Sequence, residues 1–128
     1  MPPTQHLTTA MVVVLVVMMM MMIGTTTATP PTIVFQVWCV APNDHFVMHA
    51  WGHELGAHGK VRMMGDGSQR CASALGLLWD LSDKGLGMRC ARALLVAKNG
   101  VVVHAAQEEA GKFEVSAAGA ALQALSKL

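Results

Sequence analysis

The pattern of apolar and polar positions divides the chain near Pro31. Before it, Ala10–Ile23 (AMVVVLVVMMMMMI) is an unbroken apolar run without a period, followed by Gly24 and a Thr-rich stretch ending in Pro30-Pro31. After it, apolar runs alternate with periodic segments. Thr32–Val40 (TIVFQVWCV) is rich in β-branched and aromatic residues and predicts a buried strand. Asn43 or Asp44 is placed to cap a helix reaching about Leu55, which Gly56 and Gly59 stop. Lys60–Met64 predicts a short strand and Gly65-Asp66-Gly67-Ser68 a turn. Gln69–Trp79, with Cys71, Leu75 and Leu78 at helical spacing, predicts a second helix, and Asp80–Gly87 a loop. Ala91–Ala97 and Val101–Ala106 flank Lys98-Asn99-Gly100, a hairpin signal. Ser116 is expected to begin a last helix with Ala117, Ala121, Leu122 and Leu125 along one stripe. The predicted order is β-α-β-α-β-β-α, an α/β layered fold.

Composition sharpens this division. The chain has 128 residues, 53% hydrophobic and 13% charged, enough for one small domain and too few for two. Net charge is +1, and nine basic residues are interleaved with eight acids, which gives no electrostatic footprint for nucleic acid. No Asp, Glu, Lys or Arg precedes Asp44. Residues 1–31 are therefore treated as a low-complexity apolar segment and residues 32–128 as the domain. As a helix, Ala10–Ile23 would rise about 21 Å, short of the ~30 Å hydrocarbon core. With Gly24–Ala28 the uncharged stretch lengthens, so residues 10–28 fit a secretory signal or membrane anchor, a buried segment, or an extension without a role. The lack of a basic n-region and of any arginine argues against a signal and a transit peptide respectively.

From about Ile33 onward the chain resembles the C-terminal two thirds of a type II, peroxiredoxin-5-like thiol peroxidase. The resemblance rests on Cys39-Val40-Ala41-Pro42-Asn43-Asp44, Phe46-Val47-Met48, Ala50-Trp51, Gly59-Lys60-Val61-Arg62 and Asp66-Gly67. It continues through Leu75-Gly76-Leu77 and Asp80–Gly87, Arg89 and Arg92, Leu94-Leu95-Val96, the Asn-Gly hairpin and Phe113-Glu114-Val115-Ser116. It implies an α/β, thioredoxin-like fold, here incomplete, and an antioxidant oxidoreductase of cell redox homeostasis. Hydrogen peroxide or alkyl hydroperoxides would be the substrates and glutaredoxin or thioredoxin the reductant. No cofactor and no metal are implied, a homodimer is compatible with it, and the cytoplasm or an organelle is the family's compartment.

The family's peroxidatic cysteine sits in a Pro-x3-Thr-x2-Cys loop at a helix N-terminus, where the dipole and a neighbouring Arg favour the thiolate. That pattern is absent here. Cys39, Cys71 and Cys90 follow Thr32, Met64 and Asp83 by seven residues, and none of these is Pro. In the resemblance that loop and the central strand before it precede Ile33, where this chain has its Met/Val run. Val12–Val17 is β-branched enough to serve as a surrogate strand.

The resemblance places Cys39 at a resolving-cysteine position and Arg92 at that of the Arg that pairs with thiolate and peroxide, with one aromatic residue missing between Arg92 and Ala93. The plainer readings are a buried strand thiol and a salt-bridging loop Arg. Cys71 and Cys90 fall where the family needs no cysteine, and an odd total of three suits free thiols in a reducing compartment. His45, His49 and His53 recur every four residues and share a helical face, with His58 close behind. However, His53-Glu54-Leu55-Gly56-Ala57-His58 is one residue too long for H-E-x-x-H, and the face opposite Val47, Ala50 and Trp51 is expected to be solvated. Three activities follow as expectations: an impaired thiol peroxidase, a slow one-cysteine sensor, and a membrane-tethered interaction module without catalysis.

Overall fold

A computed structural model describes residues 13–20 and 33–128. Its elements are β1 (Val13–Met20), β2 (Ile33–Ala41), α1 (His45–Glu54), β3 (Arg62–Gly65), α2 (Arg70–Ala74), β4 (Leu78–Leu81), a 3-10 turn (Ser82–Lys84), β5 (Gly87–Cys90), β6 (Ala93–Lys98), β7 (Val101–Gln107) and α3 (Ala118–Leu125). Five strands form one sheet in the order β3-β2-β1-β6-β7, and β4 and β5 form a separate antiparallel pair. Part of the Met/Val run thus stands at the sheet's centre, the place the surrogate-strand expectation gives it, over residues 13–20 rather than 12–17. β1 runs antiparallel to β2, with Leu15 opposite Trp38, and parallel to β6, with Leu15 opposite Leu95. The rest of the 1–31 segment lies outside the described residues. Among the described residues no helix is long and apolar enough to cross a membrane.

Alternation along β2 and β6 sorts the core onto the sheet's two faces. Val40, Ala93 and Leu95 pack with Ala72, Leu77, Leu81, Cys90 and Ala91 beneath α2 and the β4–β5 pair, and Trp38 and Trp79 lean on that cluster. The alternate residues point the other way. Leu94 and Val96 meet Ala124 of α3, while Cys39 and Ala41 meet Met48 of α1. Leu94, Val96 and Met48 are completely enclosed, each contributing roughly 1.5–3 kcal/mol of apolar burial.

Local chemistry explains the ends of the elements. The Asp44 carboxylate accepts the Val47 N–H at 2.8 Å, so Asp44 rather than Asn43 is the cap of α1. Asn99 (φ 52°) and Gly100 (φ 80°) both take the left-handed conformation that a two-residue β6–β7 hairpin requires.

Four expectations are corrected. The helix expected over Gln69–Trp79 ends at Ala74, because Leu75 caps it and Gly76 turns left-handed at φ 67°. The expected loop Asp80–Gly87 stands over Ser82–Leu86, as a 3-10 turn and its exit, but its two ends belong to the β4–β5 pair, in which Leu78 opposes Cys90 and Leu81 opposes Gly87, so the order gains strands the apolar pattern does not announce. On α1 the inward residues are Met48, Gly52 and half-buried Trp51, whereas Val47 and Ala50 are exposed. Gly52 is inward because Met63 lies where its Cβ would be, at 2.8 Å from Cγ. Finally, α3 is capped by Ala117 and not Ser116, and it packs through Ala120, Ala121, Ala124 and Leu125 with Leu122 exposed.

Candidate functional site

Each described cysteine sits on a different element. Cys39 lies in β2 on the α1 side of the sheet, enclosed by Ala41 and Met48 with Trp51, Val61 and Met63 around them. Burial pushes its thiol up to about 11. Cys90 ends β5 in the opposite cluster and directs its S–H at the Ala91 carbonyl, 3.3 Å away. Burial, then the charges of Asp66 and Cys71, push it up to about 11 as well. Cys71 is exposed on α2. Its thiol is raised by partial desolvation and by Asp66, whose two carboxylate oxygens accept the N–H groups of Cys71 (3.1 Å) and Ala72 (2.9 Å). The thiolate is the nucleophile, and a thiol at about 11 presents only about one thiolate in ten thousand molecules at pH 7. The described cysteines therefore have the electrostatics of resting thiols.

Arg92 occupies the bend before β6, where its carbonyl accepts the Glu108 N–H at 2.9 Å. Its guanidinium lies over the Phe113 ring, 4.8 Å from the centroid, a cation–π contact. The ion pair expected of a loop arginine is not what holds it; the salt bridge among the described residues is the exposed Lys112–Glu109 pair. Phe113 is carried by a loop clasped on Glu108. One oxygen of that buried carboxylate accepts the Glu114 N–H (2.7 Å), the Ser116 N–H (2.8 Å) and the Ser116 hydroxyl (2.8 Å). Sequence reasoning misses Glu108, because a loop-spanning clasp has no periodic signature. Cys39 and Arg92 are not brought together: β1 lies between β2, which carries Cys39, and β6, which Arg92 precedes, a span of about 10 Å of sheet.

The Glu108 clasp carries a pH prediction. Burial pushes this carboxyl up, but the hydrogen bonds from Ser116, Glu114 and Val115 outweigh it and hold the carboxyl below its ordinary value. A carboxylate lowered by folding contributes stability that is present above its unfolded value, about 4.3, and is lost as pH falls through the folded one. Glu108→Gln is expected to lower the melting temperature at pH 7 and to narrow that difference as pH falls below about 4, followed by circular dichroism. A difference constant over that range would remove the carboxylate from the account.

His45, His49, His53 and His58 are exposed, as expected. The rings of His49 and His53 stand 4.5 Å apart and those of His53 and His58 5.1 Å apart, beside an open groove of about 620 Å³. Among the described residues no three His, Cys, Asp or Glu side chains are grouped to hold a metal ion.

Residues 33–122 match the Redoxin family. The chain belongs to that family. This redoxin is 46% identical over 90 residues to Peroxiredoxin-2E-2, chloroplastic, of Oryza sativa subsp. japonica, covering 68% of this chain and 40% of that protein. It is 42% identical over 90 residues to Peroxiredoxin-2D of Arabidopsis thaliana, covering 70% and 56%. The redoxin thus spans about half the length of the curated relatives it matches. Reduced Prx3 of Vibrio vulnificus, in complex with hydrogen peroxide, superposes with a TM-score of 0.68 at 30% identity over 91% of this chain and 79% of that one. The redoxin is a partial peroxiredoxin with a thioredoxin-like α/β fold, as the resemblance from Ile33 onward implies.

Proposed function

We propose that this redoxin performs the thiol-peroxidase chemistry of its family at the pace of an unactivated thiol, with Cys71 as the reacting group. The observation that carries this reading is that burial raises Cys39 and Cys90 to about 11 while Cys71 alone of the three is exposed. A peroxide reaches Cys71 without crossing the core. The Cys71 thiolate attacks one oxygen of the hydroperoxide, an S–O bond forms and the O–O bond breaks, and the alcohol or water leaves with the thiol's proton. The resulting sulfenic acid is returned to the thiol by two equivalents of an external thiol, a role that glutaredoxin or thioredoxin fits. Arg92 then serves the loop through Phe113, and Cys39 serves the core.

The test is peroxide consumption by the purified chain with dithiothreitol as reductant, beside Cys39→Ser, Cys71→Ser and Cys90→Ser. Turnover within about tenfold of a free thiol, lost in Cys71→Ser and kept in Cys39→Ser, is expected. Rapid turnover abolished by Cys39→Ser would overturn the assignment.

A further inference from the structure

Cys71 and Cys90 sit on segments that hydrogen bonds stitch together. Gln69 Nε2 donates to the Met88 carbonyl at 2.6 Å, and two residues further along each segment stands a cysteine. The Ala91 N–H donates to the Leu77 carbonyl at 2.7 Å, and the Leu77 N–H to the Ala72 carbonyl at 2.9 Å, so the neighbours of both cysteines meet on Leu77. Ala72 and Cys90 share one apolar cluster. Asp66, bonded to the Cys71 N–H, also acts on the Cys90 thiol, as does Cys71 itself.

We propose that Cys71 and Cys90 form a dithiol–disulfide pair, closed when a hydroperoxide oxidises the exposed Cys71. This rests on the peroxide reading above and adds an internal resolving thiol to it. After the Cys71 sulfenic acid forms, the Cys90 sulfur attacks it, an S–S bond forms and the S–O bond breaks. The departing hydroxide takes the Cys90 proton as water. In sum, two thiols and one hydroperoxide give one disulfide, one alcohol or water, and one water. A disulfide needs Cα atoms about 4.4–6.8 Å apart, and α2 is the element that adjusts to it. It is only five residues long, begins after Gln69 in the left-handed region (φ 57°) and ends before left-handed Gly76 (φ 67°). Cys90 exchanges its hydrogen bond to Ala91 for the bond to sulfur.

Intact mass and peptide mapping of the full chain after one equivalent of hydrogen peroxide, and separately after the thiol oxidant diamide, decide the matter. The expected product is about 2 Da lighter, carries a 71–90 cross-link, returns to the starting mass with dithiothreitol, and does not form in Cys71→Ser or Cys90→Ala. In Cys90→Ala, shown by circular dichroism to be folded, a dimedone adduct is expected on Cys71 instead. Oxygen added to Cys71 of the wild-type chain with no 71–90 cross-link from either oxidant overturns the pair and leaves the peroxide reading standing. A cross-link from diamide but not from peroxide keeps the pair and discards the peroxide reading. A cross-link to Cys39 overturns the pair.

Discussion

Val16→Pro is expected to destabilise the protein by on the order of 3 kcal/mol, enough to consume much of a small domain's stability. Val16 stands mid-way along β1, opposite Val37 on one side and Val96 on the other. Proline has no N–H to give to the ladder, and a central strand has no solvent edge to which the lost bond can be diverted. Urea titration followed by circular dichroism reads the effect as a lower midpoint. An unchanged midpoint would mean that the sheet stands without β1, and that the Met/Val run adds nothing to the fold.

Leu94→Ala is expected to cost about 3 kcal/mol by the same measurement. Leu94 is fully enclosed in β6 between the sheet and Ala124 of α3. A truncation there loses the transfer energy of the side chain and leaves a cavity that Ala120, Ala121 and Ala124 are too small to fill. Leu94→Met, which nearly conserves volume, is expected to stay under about 1.5 kcal/mol. Equal losses in the two variants would show that shape, and not burial, is being measured.

The parts of this fold that the sequence announces are those whose causes are local. The strand of Thr32–Val40, the Asp44-capped helix and the Asn99-Gly100 hairpin each carry their signal within a few residues, and each stands in the structure as β2, α1 and the β6–β7 turn. The stretch from Leu75 to Gly87 is different. Leu75 and Leu78 fit a helical period, yet Gly76 breaks it and the LWDL segment finds its partner in GMRC, a tertiary pairing that no local pattern encodes. Family resemblance supplied the identity of the domain, which composition could not. Of the site, the sequence singles out Arg92 and Cys39 and passes over the rest: the Phe113 seat under Arg92 and the Glu108 clasp span loops, and the Cys71–Cys90 neighbourhood depends on how α2 lies against β5.

The mixed directions of the sheet carry a kinetic consequence. β1–β2 and β6–β7 are both antiparallel pairs of near neighbours in sequence, units that assemble early because little chain entropy is lost in closing them. The parallel β1–β6 ladder, which brings Val13 to Ala93, is the one contact that must gather most of the chain before it forms. Parallel pairing is also the weaker kind per residue. The sheet is therefore a β3-β2-β1 unit and a β6–β7 hairpin zipped along a single seam, and that seam is expected to be the last ladder to close during folding and the first to part when the molecule breathes.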